Sequence, residues 1–116
     1  MYLLYADGLK LFRRIDSRDD AVKLQSDLDN LQKWCRNNHL SLNINKCCTI
    51  TFCKARNTIK NIYEIDKVSL KIIDEIKDLG VVFDTRLTFK GHYYSLFKKA
   101  INMWGFIWRH CYMLSP

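Results

Sequence analysis

Two short apolar runs, Tyr2 to Ala6 and Leu9 to Phe12, flank the dipeptide Asp7-Gly8. Asp-Gly between hydrophobic runs is the strongest short-range signal for a β-hairpin, because Gly takes positive φ freely and the short aspartate side chain bonds local backbone. The reading places one carboxylate, Asp7, at the tip of two strands. Two roles are open to it there. It can be a turn residue alone, or an oxygen donor to a hard cation such as Mg²⁺, which phosphoryl transfer needs rigidly placed.

The rest of the chain supplies elements to pack with that hairpin. Arg13-Arg14-Ile15 finishes the second strand, and Ser17 opens a helix with Asp20 as its capping-box partner. Ala21, Leu24, Leu28, Leu31 and Cys35 recur at steps of three and four, one face of an α-helix. Asp19 and Asp20 stand at its start and Lys33 and Arg36 at its end, as the helix dipole favours. Asn37-Asn38-His39 stops it, with Asn38 or His39 in a left-handed cap and His39 a loop residue without a partner. Leu40 to Asn43 alternates, and Cys47 to Cys53 reads as a strand. Residues 55–61 are loop-like, and short strands follow over Tyr63 to Ile65, Val68 to Ile73 and Glu75 to Phe83, with turns around Asp66 and Asp74. From Thr88 the pattern is helical again, with Tyr93, Phe97, Ala100, Ile101, Trp104 and Trp108 on one broad face. Tyr94, Met103, Phe106 and Ile107 lie off that stripe, so this helix expects further protein to cover it. The pattern is α+β: a small antiparallel sheet with the Asp7-Gly8 hairpin, one packed amphipathic helix, and a C-terminal helix.

Composition narrows the classes of partner. With 48% hydrophobic and 27% charged residues over 116 positions, the chain is globular in composition, not disordered. Its apolar runs fall short of the roughly 20 residues of a membrane-spanning helix, so no membrane partner and an intracellular setting, nucleus or cytoplasm, are expected. A formal net charge of +7 suits phosphate neutralisation, although a basic solvated surface explains it equally. The five cysteines, Cys35, Cys47, Cys48, Cys53 and Cys111, show no zinc spacing, and the odd count argues for reduced thiols. Cys47, Cys48 and Cys53 are read as small apolar filler in a strand. Between Lys46 and Asn61 the charged residues are Lys46, Lys54, Arg56 and Lys60, all basic, which fits a phosphate-facing loop or a solvated turn.

Three blocks in order carry a family resemblance. Tyr5-Ala6-Asp7 between aliphatic runs, Asn38-His39-Leu40-Ser41-Leu42-Asn43 with Lys46-Cys47, and Lys77-Asp78-Leu79-Gly80-Val81 with Asp84, Leu87 and Phe89 resemble motifs C, D and E of reverse transcriptases of jockey-type non-LTR retrotransposons. The resemblance implies a partial palm over residues 1–83 and the start of a thumb over 84–116, with the boundary between Phe83 and Phe89. It implies Asp7 as a catalytic and metal-binding aspartate for Mg²⁺, and Lys46 near the nucleotide site. Without the resemblance, Lys46 is a solvent-facing lysine at a strand end. The resemblance also implies that Lys77 and Gly80 fall in the family's hairpin that grips the primer end, and Lys98, Lys99 and Arg109 in its helix that follows the primer–template backbone. The implied partners are an RNA template, a DNA primer, and an N-terminal palm and fingers upstream. For Gly80 the residues themselves leave two reasons open, close backbone approach or a bulge on one hand and a strand kink for packing on the other.

One departure matters. Where the family has two consecutive aspartates, Gly8 follows Asp7, and the family's other metal-binding aspartate lies upstream of this hairpin. Two-metal catalysis requires several carboxylates around ions about 3.5–4 Å apart. The expectation is a piece of an RNA-directed DNA polymerase that does not polymerise by itself. The rival expectations are a non-catalytic basic nucleic-acid-binding module and a relic with no biochemical role.

Overall fold

The computed structural model describes residues 1–5, 8–54 and 58–114. In chain order the elements are β1 (Tyr2–Tyr5), β2 (Gly8–Leu11), α1 (Arg18–Asn37), a 3₁₀ turn (Ile44–Lys46), β3 (Cys48–Thr49), β4 (Glu64–Ile65), β5 (Val68–Ser69), β6 (Lys71–Ile72), β7 (Glu75–Asp78), β8 (Val81–Asp84) and α2 (Lys90–Tyr112). The class is α+β, with antiparallel hairpins β1–β2, β4–β5 and β7–β8 and one parallel pair, β3–β6. Two compact units result, Met1–Thr51 with Ala55–Ile73 and Phe52–Lys54 with Asp74–Pro116.

In the first unit, β1 and β2 pair from Tyr2 opposite Leu11 to Tyr5 opposite Gly8. Gly8 is therefore a strand residue, which corrects its placement in the turn. The turn reading of Asp7 itself lies outside the described residues. Helix α1 begins as its sequence dictates. The Ser17 hydroxyl accepts the Asp20 N–H at 3.3 Å, and the Asp20 carboxylate accepts the N–H groups of Ser17 and Asp16 at 3.1 and 3.2 Å. The Ser17 hydroxyl also donates to the Asp20 carboxylate at 3.0 Å, and that bond foremost, with those from the Asp16 and Ser17 N–H groups, holds the Asp20 carboxyl below the usual carboxylate range. At the other end His39 takes φ 56° and Leu40 N–H reaches back to Cys35 O at 2.9 Å, closing the helix with a left-handed residue.

The buried face of α1 meets the β4–β5 hairpin. Ala21, Tyr63, Ile65 and Leu70 form the core, each at most 8% exposed, with Ile15, Leu24, Leu28, Leu42, Ile44 and Cys47 packed around it. Polar groups on α1 then fix the hairpin. Gln25 donates Nε2 to Glu64 O at 2.8 Å and accepts Glu64 N–H on Oε1 at 3.0 Å, so a side-chain amide stands in for a neighbouring strand. Asp66 and Lys67 both have positive φ, 53° and 61°, the geometry of a two-residue hairpin turn that usually calls for Asn or Gly. The Asp66 carboxylate accepts from Gln32 and Arg36 of α1, which holds the turn against its intrinsic cost.

Three readings of this region are corrected. The strand over Cys47 to Cys53 shrinks to Cys48–Thr49, paired in parallel with Lys71–Ile72. Of its cysteines, Cys47 joins the core and donates to Asn43 O at 3.3 Å, Cys53 is half-buried and Cys48 is exposed. Burial pushes the Cys47 thiol up. The run Glu75 to Phe83 is two strands, not one, because Leu79 and Gly80 take φ 47° and 84° and fold it into the β7–β8 hairpin.

In the second unit, α2 rises from the end of β8. Its Gly105 has open space where a Cβ would stand, and no side chain along the helix is fully buried. Two substitutions of opposite sign test these assignments. Gln25→Ala removes both bonds to the Glu64 backbone and lowers stability by about 1 kcal/mol. Gly105→Ala relieves backbone entropy in a helix interior and stabilises α2 by about 0.8–1 kcal/mol. Urea unfolding followed by circular dichroism reads both.

Candidate nucleic-acid interface

The strand-to-helix junction of the second unit is built on one carboxylate. Asp84, the last residue of β8, accepts backbone N–H groups from Arg86 at 2.9 Å, Thr88 at 2.9 Å and Phe89 at 2.8 Å, and the Thr88 hydroxyl at 2.9 Å. Those bonds, the Thr88 N–H foremost, lower its pKa from 3.8 to about 2. Leu87 and Phe89 both sit in the left-handed region, at φ 54° and 57°, a strained conformation for residues with bulky side chains. Phe89 is the N-cap and offers no side-chain acceptor, so Asp84 does the capping from a distance. Phe89 also meets Phe83 edge-on, with ring centroids 5.5 Å apart, and His92 Nδ1 accepts the Val82 N–H at 3.4 Å. The spacing Asp84, Leu87, Phe89 is thus a loop specification: one acceptor and two residues forced to positive φ.

From this junction α2 presents basic residues alone. Arg86, Lys90, Lys98, Lys99 and Arg109 follow Asp84, and no acidic residue does. At about 100° per residue, Lys98, Lys99 and Arg109 share one stripe roughly 100° wide. All three are exposed, and Arg109 is steadied by a bond from Nε to Gly105 O at 3.1 Å. The opposite arc, apart from Lys90 in the first turn, is apolar and uncovered, with Tyr93, Phe97, Trp104 and Trp108 each more than 60% exposed. The broad apolar face read from the sequence is present, and among the described residues nothing covers it.

The other predicted positions are dispersed. Lys77 is an exposed residue of β7 opposite Val82, and Gly80 is the second residue of the β7–β8 turn. A Cβ on Gly80 would meet nothing within 4 Å, so its φ of 84°, not close approach of another backbone, explains the glycine. Lys46 belongs to the first unit, exposed at the end of the 3₁₀ turn and not at a strand end. Asp7, the aspartate expected to ligate Mg²⁺, lies outside the described residues. Among the described residues no group of three or more His, Cys, Asp or Glu could hold a metal ion. No described helix is long and apolar enough to cross a membrane.

Residue-pattern reading missed Asp84 as a capping group and Gln25 and Asp66 as hairpin clamps. For Asp84 a signal existed, an aspartate four residues before Thr88 at the start of a helical pattern. For Gln25 and Asp66 none did, since the partners lie far apart in sequence.

Comparison with known proteins adds one relative. Over 93 residues, 79% of the chain, it is 33% identical to the RNA-directed DNA polymerase from mobile element jockey of Drosophila funebris. The matched stretch spans 10% of that polymerase. No family model matches the chain, and no solved structure matches it significantly.

The junction predicts an acid transition. Asp84 has a folded pKa below its unfolded one, so its contribution is complete above about pH 4 and disappears as pH falls towards 2. Helicity at 222 nm should decline over that window, and Asp84→Asn should lower helicity at pH 7 and flatten that decline.

Proposed function

We propose that these 116 residues are the distal palm and first thumb helix of a reverse transcriptase of the jockey type, and that α2 holds primer–template through its basic stripe. The observation that carries this is the 93-residue similarity to a mobile-element RNA-directed DNA polymerase. The exposed stripe of Lys98, Lys99 and Arg109 supports the contact, because guanidinium and ammonium groups on one helix face can follow a phosphate backbone without reading sequence. Lys77 and Gly80, in the β7–β8 hairpin, are the proposed primer-end contacts, and Lys46 the proposed nucleotide-side cation.

Asp7 is proposed as the first aspartate of the family's pair. With Gly8 in the second place, these residues alone bind nucleic acid without extending it. The stripe supports a second reading as well, a non-catalytic binding module, and primer extension separates the two once upstream palm is supplied in trans.

Anisotropy with a labelled RNA–DNA hybrid tests the binding. Affinity should fall steeply with salt, and replacing Lys98, Lys99 and Arg109 together by Ala should reduce the salt slope by about 2–3. Salt-insensitive binding, or a slope unchanged by the triple substitution, removes the assignment. Incubation with a primed RNA template, Mg²⁺ and nucleotides should give no extension, and extension abolished by Asp7→Asn would overturn the inactivity.

A further inference from the structure

The uncovered arc of α2 has an internal order that its exposure alone does not convey. Tyr93, Phe97, Ala100, Trp104, Ile107 and Cys111 follow one another at steps of four and three, the seam of a helix that pairs with another helix. Reversing that series and laying it against itself puts Tyr93 level with Cys111, Phe97 with Ile107, and Ala100 with Trp104. Tyr93 and Trp104 each meet a small residue, and Phe97 meets the mid-sized Ile107, the alternation that lets facing side chains interdigitate. The same reversal sets Lys98 level with Phe106, Lys99 with Gly105 and Arg109 with Ser95, so no cation faces a cation. In a parallel arrangement every bulky residue and every cation would lie level with its own copy.

We propose that α2 pairs antiparallel with α2 of a second copy of this chain, about a two-fold axis at the level of Asn102. The symmetry is isologous, so one self-complementary surface suffices. The seam residues Tyr93, Phe97, Trp104 and Ile107 are 46–67% exposed, and Ile101 and Trp108 flank them at 52% and 61%. Covering these with their neighbours removes on the order of 600 Å² per copy, about 1,200 Å² in all, the lower end of a stable specific interface. The basic stripe faces away from the seam and stays open to phosphate.

Sedimentation of the whole chain should show a 13.8 kDa species at low concentration giving way to twice that mass by about 100 µM. Mild oxidation of Tyr93→Cys should link residue 93 of one copy to Cys111 of the other, as mapped by peptide mass spectrometry, and the link should vanish with Cys111→Ser. The unaltered chain should form no Cys111–Cys111 bridge. Ala100→Glu should weaken association at least tenfold with helicity retained. A chain monomeric throughout, a Cys111–Cys111 bridge, absence of the 93–111 link in a dimer, or undiminished association of Ala100→Glu would each overturn the pairing. A monomeric result would assign the arc to a different protein or to a lipid surface.

Discussion

Backbone N–H groups gathered by side-chain carboxylates start both helices of this protein. Asp20 does so within a capping box, one turn into α1, whereas Asp84 reaches forward from the end of a strand to collect the N–H groups of Arg86, Thr88 and Phe89. The first N–H groups of any helix lack intrahelical partners; here the ionised acceptors take the N-cap N–H of each helix, Ser17 and Phe89, with those of residues leading into it, and the Ser17 hydroxyl takes the Asp20 N–H. A carboxylate also holds the β4–β5 turn, where Asp66 accepts from the side chains of Gln32 and Arg36. Take these acceptors away and the positive-φ residues Asp66, Lys67, Leu87 and Phe89 have little to hold them there.

Local polar devices carry that much because the apolar core is small. Its buried members are Ala21, Tyr63, Ile65 and Leu70, with Cys35 buried separately, and none belongs to the second unit. That unit is organised by the β7–β8 ladder, the Asp84 junction and the Phe83–Phe89 contact. Its long helix contributes apolar surface without burying it.

The legible parts of the fold were those encoded within a few residues. The capping box at Ser17, the apolar face of α1, the left-handed stop at His39 and the second helix are all local patterns, and all are present. The strand pattern was harder, because alternation and β-formers alone do not reveal where positive φ will fold a run. Leu79-Gly80 turns where the sequence reads as one strand, and Thr, Ile and Phe after Thr49 give no ladder beyond Cys48–Thr49. Of the predicted site residues, the lysines and arginine of α2 share a face because helical spacing is predictable, whereas the assignment of Lys46 to the first unit is not encoded in local spacing.

The parallel pairing of β3 with β6 joins segments far apart in the sequence. Cys48 and Thr49 can meet Lys71 and Ile72 only after a long excursion of chain returns, and closing so long a loop for a two-residue ladder is entropically unfavourable. The β4–β5 hairpin lies inside that excursion and shortens it, and the amide of Gln25 together with Leu70 N–H bonded to Tyr63 O fixes its base against α1. The two-residue ladder thus leans on a hairpin that a side chain of α1 pins, since without that hairpin the loop it closes would be longer and costlier.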